Sequence, residues 1–155
     1  MRVPGIAWWP GTVEASAVTS AVASSMDLFT TALELAGAEV PQDRIIDGVS
    51  LLPVLRGETD KGREVLLYYR GEHLYAVRKG PWKAHFITQA GYGDEPHPHD
   101  PPLLFHLGHD PSEKYNVAKE HPEVLEAIRK VVEAHQARLE RGEDQLDEHA
   151  DKYRL

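Results

Sequence analysis

Three β-rich runs joined by two-residue turns constrain the fold of this chain more than any other feature. The runs are EVLLYYR (64–70), HLYAVRK (73–79) and WKAHFIT (82–88), and Gly-Glu and Gly-Pro join them. Joints this short connect neighbouring antiparallel strands as β-hairpins. The run LLFHL (103–107) can add a fourth strand after QAGYGDEPHPHDPP, a turn-rich stretch that we interpret as a long loop. The sequence therefore predicts a four-stranded antiparallel sheet.

A long helix is predicted near the end of the chain. Pro122 suits the first turn of a helix, Arg138 and Arg141 suit its negative C-terminal end, and Gly142 can stop it. The apolar stripe expected to face the sheet comprises Val124, Leu125, Ile128, Val131, Val132 and Leu139. Together the elements predict an α+β fold, in which the four-stranded antiparallel sheet packs on a long C-terminal helix.

The stretch FHLGHDPSEKYNVAKEHPEV (105–124) connects the fourth strand to this helix. Asp110-Pro111 is expected to force a turn, and the side chain of Asn116 can satisfy nearby backbone groups. We interpret the stretch as a structural corner that carries no chemistry of its own.

The N-terminal part has a different pattern. VPGIAWWPG (3–11) is a short apolar run bounded by proline and glycine, which predicts a buried strand. A helix is predicted over MDLFTTALELAG, with Ser24 or Ser25 as its cap and Gly37 at its end. Its apolar residues share one face: Leu28, Phe29, Ala32, Leu33 and Ala36. A linker-like GETDKG places a domain boundary near residue 60, which divides the chain into 1–60 and 61–155.

Composition excludes several classes of protein. The formal net charge of -8 argues against a nucleic-acid partner and against an anionic membrane surface. The chain has no cysteine, so it has no disulfide, thiolate metal site or cysteine nucleophile. No apolar run is long enough to cross a bilayer. The first residues lack the layout of a signal peptide, so a chain expressed as written is expected in the cytoplasm.

Histidines and aromatic residues leave two alternatives open. Candidate metal ligands are His97, His99, His106 and His109, with Asp100 and Asp110. Zinc needs ligands held in rigid positions, and HPHDPP has the composition of a loop. We therefore favour a solvated loop and keep a small metal-dependent hydrolase as an alternative. The aromatic residues of the predicted sheet could stack on sugars or bases, but a role in the core is favoured: Tyr68, Tyr69, Tyr75, Trp82 and Phe86.

Adjacent tryptophans on the first predicted strand point to opposite faces, so both faces need a cover. Either the following helix covers them, or Ile6, Trp8 and Trp9 form an association surface. The second possibility gives an alternative function, an interaction module that pairs with itself or with another chain.

Taken together, five stretches resemble the C-terminal part of the type I sulfatases. They are MRVPGIAWWPG, SMDLFTTALELAG, DRIIDGVSLLPVLRG, LYYRGEHLYAVRKGPWKAHFITQ and PPLLFHLGHDPSEKYNV. They occur in the order of the family, and they cover nearly all of this chain but only the last portion of a sulfatase. The resemblance implies that residues 1–37 are a strand-helix remnant of the large sulfatase α/β domain. It also implies that the part from about residue 62 forms the small C-terminal domain.

The resemblance also implies what this chain lacks. Family catalysis uses a formylglycine made from Cys-x-Pro-x-Arg, or from serine in some members, and a calcium ion held by Asp and Asn side chains. No such position exists here, so we expect no cofactor in this chain and no activity from it alone. The expected partner is the missing N-terminal sulfatase domain or a second copy in a homodimer. In the family the loop after KAHF helps to shape substrate access, which implies that Gln89, Tyr92, His97 and His99 lie at the substrate rim.

Overall fold

A computed structural model describes residues 3–91 and 93–139. The helices are α1 (Met26–Leu35), α2 (Leu52–Leu55) and α3 (Pro122–Gln136), and the strands are β1 (Val65–Arg70), β2 (His73–Lys79), β3 (Trp82–Thr88) and β4 (His97–His106). The strands form one antiparallel sheet in the order β1-β2-β3-β4, in which each strand pairs with the next along the chain. This arrangement confirms the predicted α+β fold. No helix in the described ranges is long and apolar enough to span a bilayer.

The core lies between the sheet and α3. Val77, Ala84 and Leu104 are opposite one another on β2, β3 and β4, and all three are fully buried. They form one hydrophobic cluster with three helix residues at helical spacing, which are Leu125, Ile128 and Val132. The predicted stripe of α3 is therefore confirmed over its first three turns.

The end of that stripe was predicted wrongly. The helix ends at Gln136, and Leu139 lies beyond it with 57% of its surface exposed. Because the chain leaves the helical path before Leu139, this side chain no longer points at the sheet. The predicted stop at Gly142, and Arg141 before it, lie outside the described residues.

The fourth strand is longer than predicted, because it begins inside the stretch interpreted as a loop. His97 pairs with Thr88, and the ladder continues after an irregularity between His85 and Ile87. The proline-rich sequence misled the prediction, since proline removes a hydrogen-bond donor. Strand β4 lies at the edge of the sheet, where donors that face away from the sheet need no partner. The connecting loop is thereby shortened to residues 89–96.

The corner between β4 and α3 is held as the sequence predicts. One carboxylate oxygen of Asp110 accepts the backbone N–H groups of Lys114 (2.7 Å) and Tyr115 (2.8 Å). The side-chain oxygen of Asn116 accepts the N–H groups of Leu104 (2.9 Å) and Ala118 (3.1 Å). These bonds fix the corner to the start of the region that packs against α3.

The N-terminal part differs from its predictions. Residues 3–9 form no strand, since no strand of the described ranges pairs with them. An extended segment without a hydrogen-bonded neighbour gains nothing from the strand conformation. Helix α1 forms as predicted, but its polar residues Asp27, Thr30 and Thr31 are buried, whereas the apolar Leu28 and Phe29 are 62% and 50% exposed.

The burial of the polar face of α1 has a clear cause. The Asp27 carboxylate accepts the N–H groups of Ser24 (2.7 Å) and Val49 (2.9 Å) and pairs with the Arg63 guanidinium. The backbone N–H of Arg63 also donates to the carbonyl of Val22 at 2.8 Å. The segment that follows α1 therefore wraps over the polar side of the helix and leaves its apolar side open.

Candidate functional site

The predicted rim residues lie at one end of the sheet. At this end β1 meets β2 at the pair Arg70–His73, and β3 meets β4 at the pair Thr88–His97. Gln89 follows β3 directly, and the 89–96 loop leaves the sheet from there. Tyr92 lies outside the described residues. The antiparallel topology thus brings Gln89 and His97 to the same end of the sheet.

Gln89 uses its side chain to tie this end of the sheet together. Its Oε1 atom accepts hydrogen bonds from the Tyr75 hydroxyl (2.9 Å) and from the Arg70 guanidinium, and its Nε2 donates to the Asp94 carbonyl (2.5 Å). Both ends of the amide are therefore occupied. Gln89 fixes the β3–β4 loop against β1 and β2, so its geometry suits a positioning residue.

The two histidines have different surroundings. His97 is exposed, whereas His99 is half-buried and its Nε2 lies 2.8 Å from the Thr88 hydroxyl. His99 lines a shallow groove of about 250 Å³ between β4 and α3. The other groove residues are Phe86, Asp100, Pro102, Arg129, Val132 and Glu133. No hydrogen bond joins Gln89 to either histidine, so in the described part of the chain the rim residues share an edge but form no single cluster.

The candidate metal ligands do not converge. Within residues 3–91 and 93–139, no group of three or more His, Cys, Asp or Glu side chains could hold a metal ion. The rings of His106 and His109 stack at 4.1 Å, and His106 Nδ1 accepts the N–H of His109 at 3.2 Å. These imidazoles therefore serve packing and the turn. The described residues likewise do not fit the calcium site that the family implies.

A charged cluster that the sequence did not reveal joins β3 to the segment after β4. The Glu113 carboxylate receives a hydrogen bond from the Lys83 ammonium (2.7 Å) and contacts His85 Nε2 (2.5 Å). The side chains of Lys83, His85 and Glu113 are only 8%, 18% and 21% exposed. Glu113 also adopts a left-handed backbone conformation, with φ 55°. Lys83 and His85 lie about thirty residues from Glu113 along the chain, so sequence spacing gave no signal for this contact.

Burial and hydrogen bonding together determine the protonation states of Glu113 and His85. Burial alone would raise the pKa of Glu113, but the hydrogen bonds from Lys83 and His85 outweigh it and hold that pKa below its usual value. Burial lowers the pKa of His85, and the nearby Lys83 charge adds to this, although Glu113 acts in the opposite direction. The cluster is therefore most stable with Glu113 ionised and His85 neutral.

The predicted association residues are largely exposed to solvent. Ile6 is 96% exposed, Trp8 86% and Trp9 37%. The chain turns immediately after them, because the Trp9 carbonyl accepts the N–H groups of Thr12 (3.1 Å) and Val13 (2.9 Å). Helix α1 thus leaves most of this apolar surface uncovered.

Comparison with known proteins agrees with the fold. Residues 61–154 match the family described as the C-terminal region of aryl-sulfatase. The chain belongs to the sulfatase family. It is 40% identical to N-acetylgalactosamine-6-sulfatase of Canis lupus familiaris over 95% of its own length, and 43% identical to arylsulfatase D of Homo sapiens over 73%. The crystal structure of the PsFucS1 sulfatase from Pseudoalteromonas sp. matches 86% of this chain, with a TM-score of 0.75 and 27% identity.

These matches also locate this sulfatase chain within its relatives. It spans 33% of the N-acetylgalactosamine-6-sulfatase, 23% of arylsulfatase D and 29% of the PsFucS1 chain. The chain thus corresponds to about a third or less of a sulfatase. Its antiparallel sheet and α3 form the part that the family description assigns to the C-terminal region.

Proposed function

We propose that this chain is the C-terminal region of a sulfate-ester hydrolase, and that it supports a catalytic α/β domain rather than hydrolysing the ester itself. The alignment carries the proposal, because 95% of the chain matches a sulfatase at 40% identity and covers only 33% of it. The chemistry of the chain supports the same division of labour. It has neither a cysteine nor a Ser-x-Pro-x-Arg motif from which a formylglycine could form, and the described residues offer no calcium site.

In this proposal the chain supports the catalytic domain in two physical ways. The sheet and α3 form a stable platform, and the end of the sheet presents the 89–96 loop at the substrate rim. Gln89 positions this loop through its bonds to Tyr75 and Asp94. His97, which is exposed, and His99, which lines the groove, present imidazoles that can hydrogen-bond an incoming sulfate ester.

A chromogenic aryl sulfate tests the first part of the proposal. The purified chain with calcium should release no more product than a heat-inactivated sample, because enzymatic rate enhancements of many powers of ten require the missing catalytic groups. Turnover that persists through repeated purification would contradict the proposal.

A chimera tests the supporting role directly. This chain would replace the matching region of an N-acetylgalactosamine-6-sulfatase, and sulfate release would be measured. We expect measurable activity, with His97→Ala raising KM and leaving kcat within a few-fold, as expected for lost substrate binding. His73→Ala is the matched control, since His73 is exposed at the same end of the sheet on the neighbouring hairpin. A folded chimera without activity would argue against the role, and equal effects of the two variants would argue against the rim assignment.

The exposed N-terminal surface favours a second candidate function, that of an association module. Ile6 and Trp8 are almost fully exposed, and the apolar side of α1 is open. In this role the partner is either a sulfatase α/β domain or a second copy of this chain. Apolar side chains of this size are stabilised when a partner covers them.

A further inference from the structure

The cluster of Lys83, His85 and Glu113 joins two parts of the fold that no ladder connects. Lys83 and His85 flank Ala84 on β3, and Ala84 faces α3, so the two charged side chains lie on the opposite face of the sheet. Glu113 belongs to the first part of the corner between β4 and α3. We call this part, residues 107–115, the 107–115 corner. Its carboxylate bridges both basic groups, with one oxygen 2.7 Å from Lys83 Nζ and the other 2.5 Å from His85 Nε2.

We propose that Glu113, Lys83 and His85 form an acid-sensitive latch, which holds the 107–115 corner against β3 and releases it as the pH falls. A single carboxylate makes both contacts, so losing its charge weakens both together. Lys83 is 8% exposed and cannot turn to solvent without leaving its site. A buried ammonium without a counter-charge is costly, which makes release of the corner the favourable response.

Groups on every neighbouring element face this latch. The Lys83 ammonium lies 5.1 Å from the centre of the Tyr68 ring on β1, and Arg78 on β2 and Glu113 act on the Tyr68 hydroxyl through their charges. On β4, the Phe105 ring packs edge-on against His85 at 5.7 Å, and the charge of His99 also acts on His85. Within the corner itself, Asp110 is a second carboxylate, and it accepts the N–H groups of Lys114 and Tyr115.

The direction of the pH effect follows from both titrating groups. Above the usual pKa of histidine, 6.5, His85 is neutral and its contribution is complete; it is lost as the pH falls through the lowered pKa of His85. The contribution of Glu113 is complete above its usual pKa of 4.5 and is lost as the pH falls through its own lowered pKa. Acidification therefore disfavours the buried position of His85 first, through burial and the Lys83 charge, and removes the Glu113 charge at lower pH.

Once the contacts of Glu113 weaken, the backbone conformation of the 107–115 corner favours its release from β3. Glu113 is held with φ 55°, a left-handed conformation that costs a residue other than glycine free energy. A freed corner can relax this residue, while Asn116 still anchors the following segment to Leu104. The core between the sheet and α3 stays closed during this change.

Amide hydrogen exchange on the chain at pH 7.5, 5.5 and 3.0, corrected for intrinsic rates, tests the latch. The reporters are the N–H groups of Asp110 and Glu113, which donate to backbone carbonyls and so have acceptors that do not titrate. We expect their protection to fall relative to the core amides of Val77 and Ala84 each time the pH is lowered, because the pKa values of both His85 and Glu113 lie below their usual values. Equal protection at all three pH values would overturn the proposal.

Variants separate the latch from general acid sensitivity. Glu113→Gln should lower the protection of the corner at every pH and remove the change that occurs below pH 5.5, whereas Glu126→Gln, on the exposed face of α3, should behave like the unaltered chain. A Glu113→Gln profile that matches the unaltered chain would overturn the proposal. If Glu113→Gln does not fold, His85→Asn decides: it keeps the Lys83 contact and should abolish the change between pH 7.5 and 5.5, and a persisting change would overturn the proposal.

Discussion

Asp27 is the residue on which the N-terminal part depends most. Its side chain is fully buried in α1 and collects two backbone N–H groups and the Arg63 guanidinium. Replacing it by Asn leaves the Arg63 charge, itself 11% exposed, without a balancing charge. Breaking a buried ion pair in this way costs about 3–5 kcal/mol. We expect Asp27→Asn to lower the free energy of unfolding by that amount in urea titrations at pH 7.

Two further variants make this expectation specific to the buried pair. Asp43→Asn removes the exposed partner of Arg44 and should leave the urea midpoint unchanged. Asp27→Asn combined with Arg63→Met removes both buried charges and should recover part of the lost stability. An Asp27→Asn variant as stable as the unaltered chain would show that this ion pair does not hold α1 in place.

Residue-level contacts divide into those that the sequence could predict and those that it could not. The hydrogen bond from the Ser24 N–H to the Asp27 carboxylate was predictable, because the two residues lie within one turn. The Asn116 contacts follow in the same way from the turn around it. The Lys83–Glu113 pair joins residues far apart in sequence, so only the folded sheet and corner reveal it. Local chemistry predicts caps and turns, whereas long-range ion pairs depend on tertiary structure.

At the scale of secondary-structure elements, the hydrophobic core depends on α3. Ile128 is fully buried against Val77, Ala84 and Leu104. An aspartate at this position would place a charge without a partner in an apolar cluster, at a cost of at least several kcal/mol. Domains are stable by only about 5–15 kcal/mol, so we expect Ile128→Asp to be mostly unfolded by circular dichroism and thermal melting.

Leu139 supplies the matched control for the helix. It carries the same predicted role in the apolar stripe, but it is 57% exposed beyond the end of α3. Leu139→Asp should therefore change stability by about 0.5 kcal/mol or less, as is usual at the surface. A Leu139→Asp variant that unfolds, or an Ile128→Asp variant that melts like the unaltered chain, would contradict this assignment of the helix face.

Elements were predictable where a local pattern agrees with the tertiary structure. The hairpins of β1, β2 and β3 follow from alternating residues and two-residue joints, and α3 follows from its period. The start of β4 was missed because its prolines indicate a loop, although an edge strand tolerates them. The predicted strand at 3–11 failed for the opposite reason. Its apolar composition suits a strand, but a strand also needs a neighbour, and the described residues provide none.

At the scale of the whole molecule, the exposed N-terminal surface predicts self-association, with a dimer as the expected form. Covering the Trp8 side chain, which is 86% exposed, buries roughly 150–250 Å². This is worth about 4–6 kcal/mol at 25 cal/mol per Å², before the entropy cost of association. A two-fold contact through Ile6, Trp8 and Trp9 would also close on itself and stop at two copies. Light scattering over a range of concentrations should give a mass that rises towards twice that of the chain, and Trp8→Ser with Trp9→Thr should return it to the monomer. A strict monomer at high concentration would rule out this surface as a site of self-association.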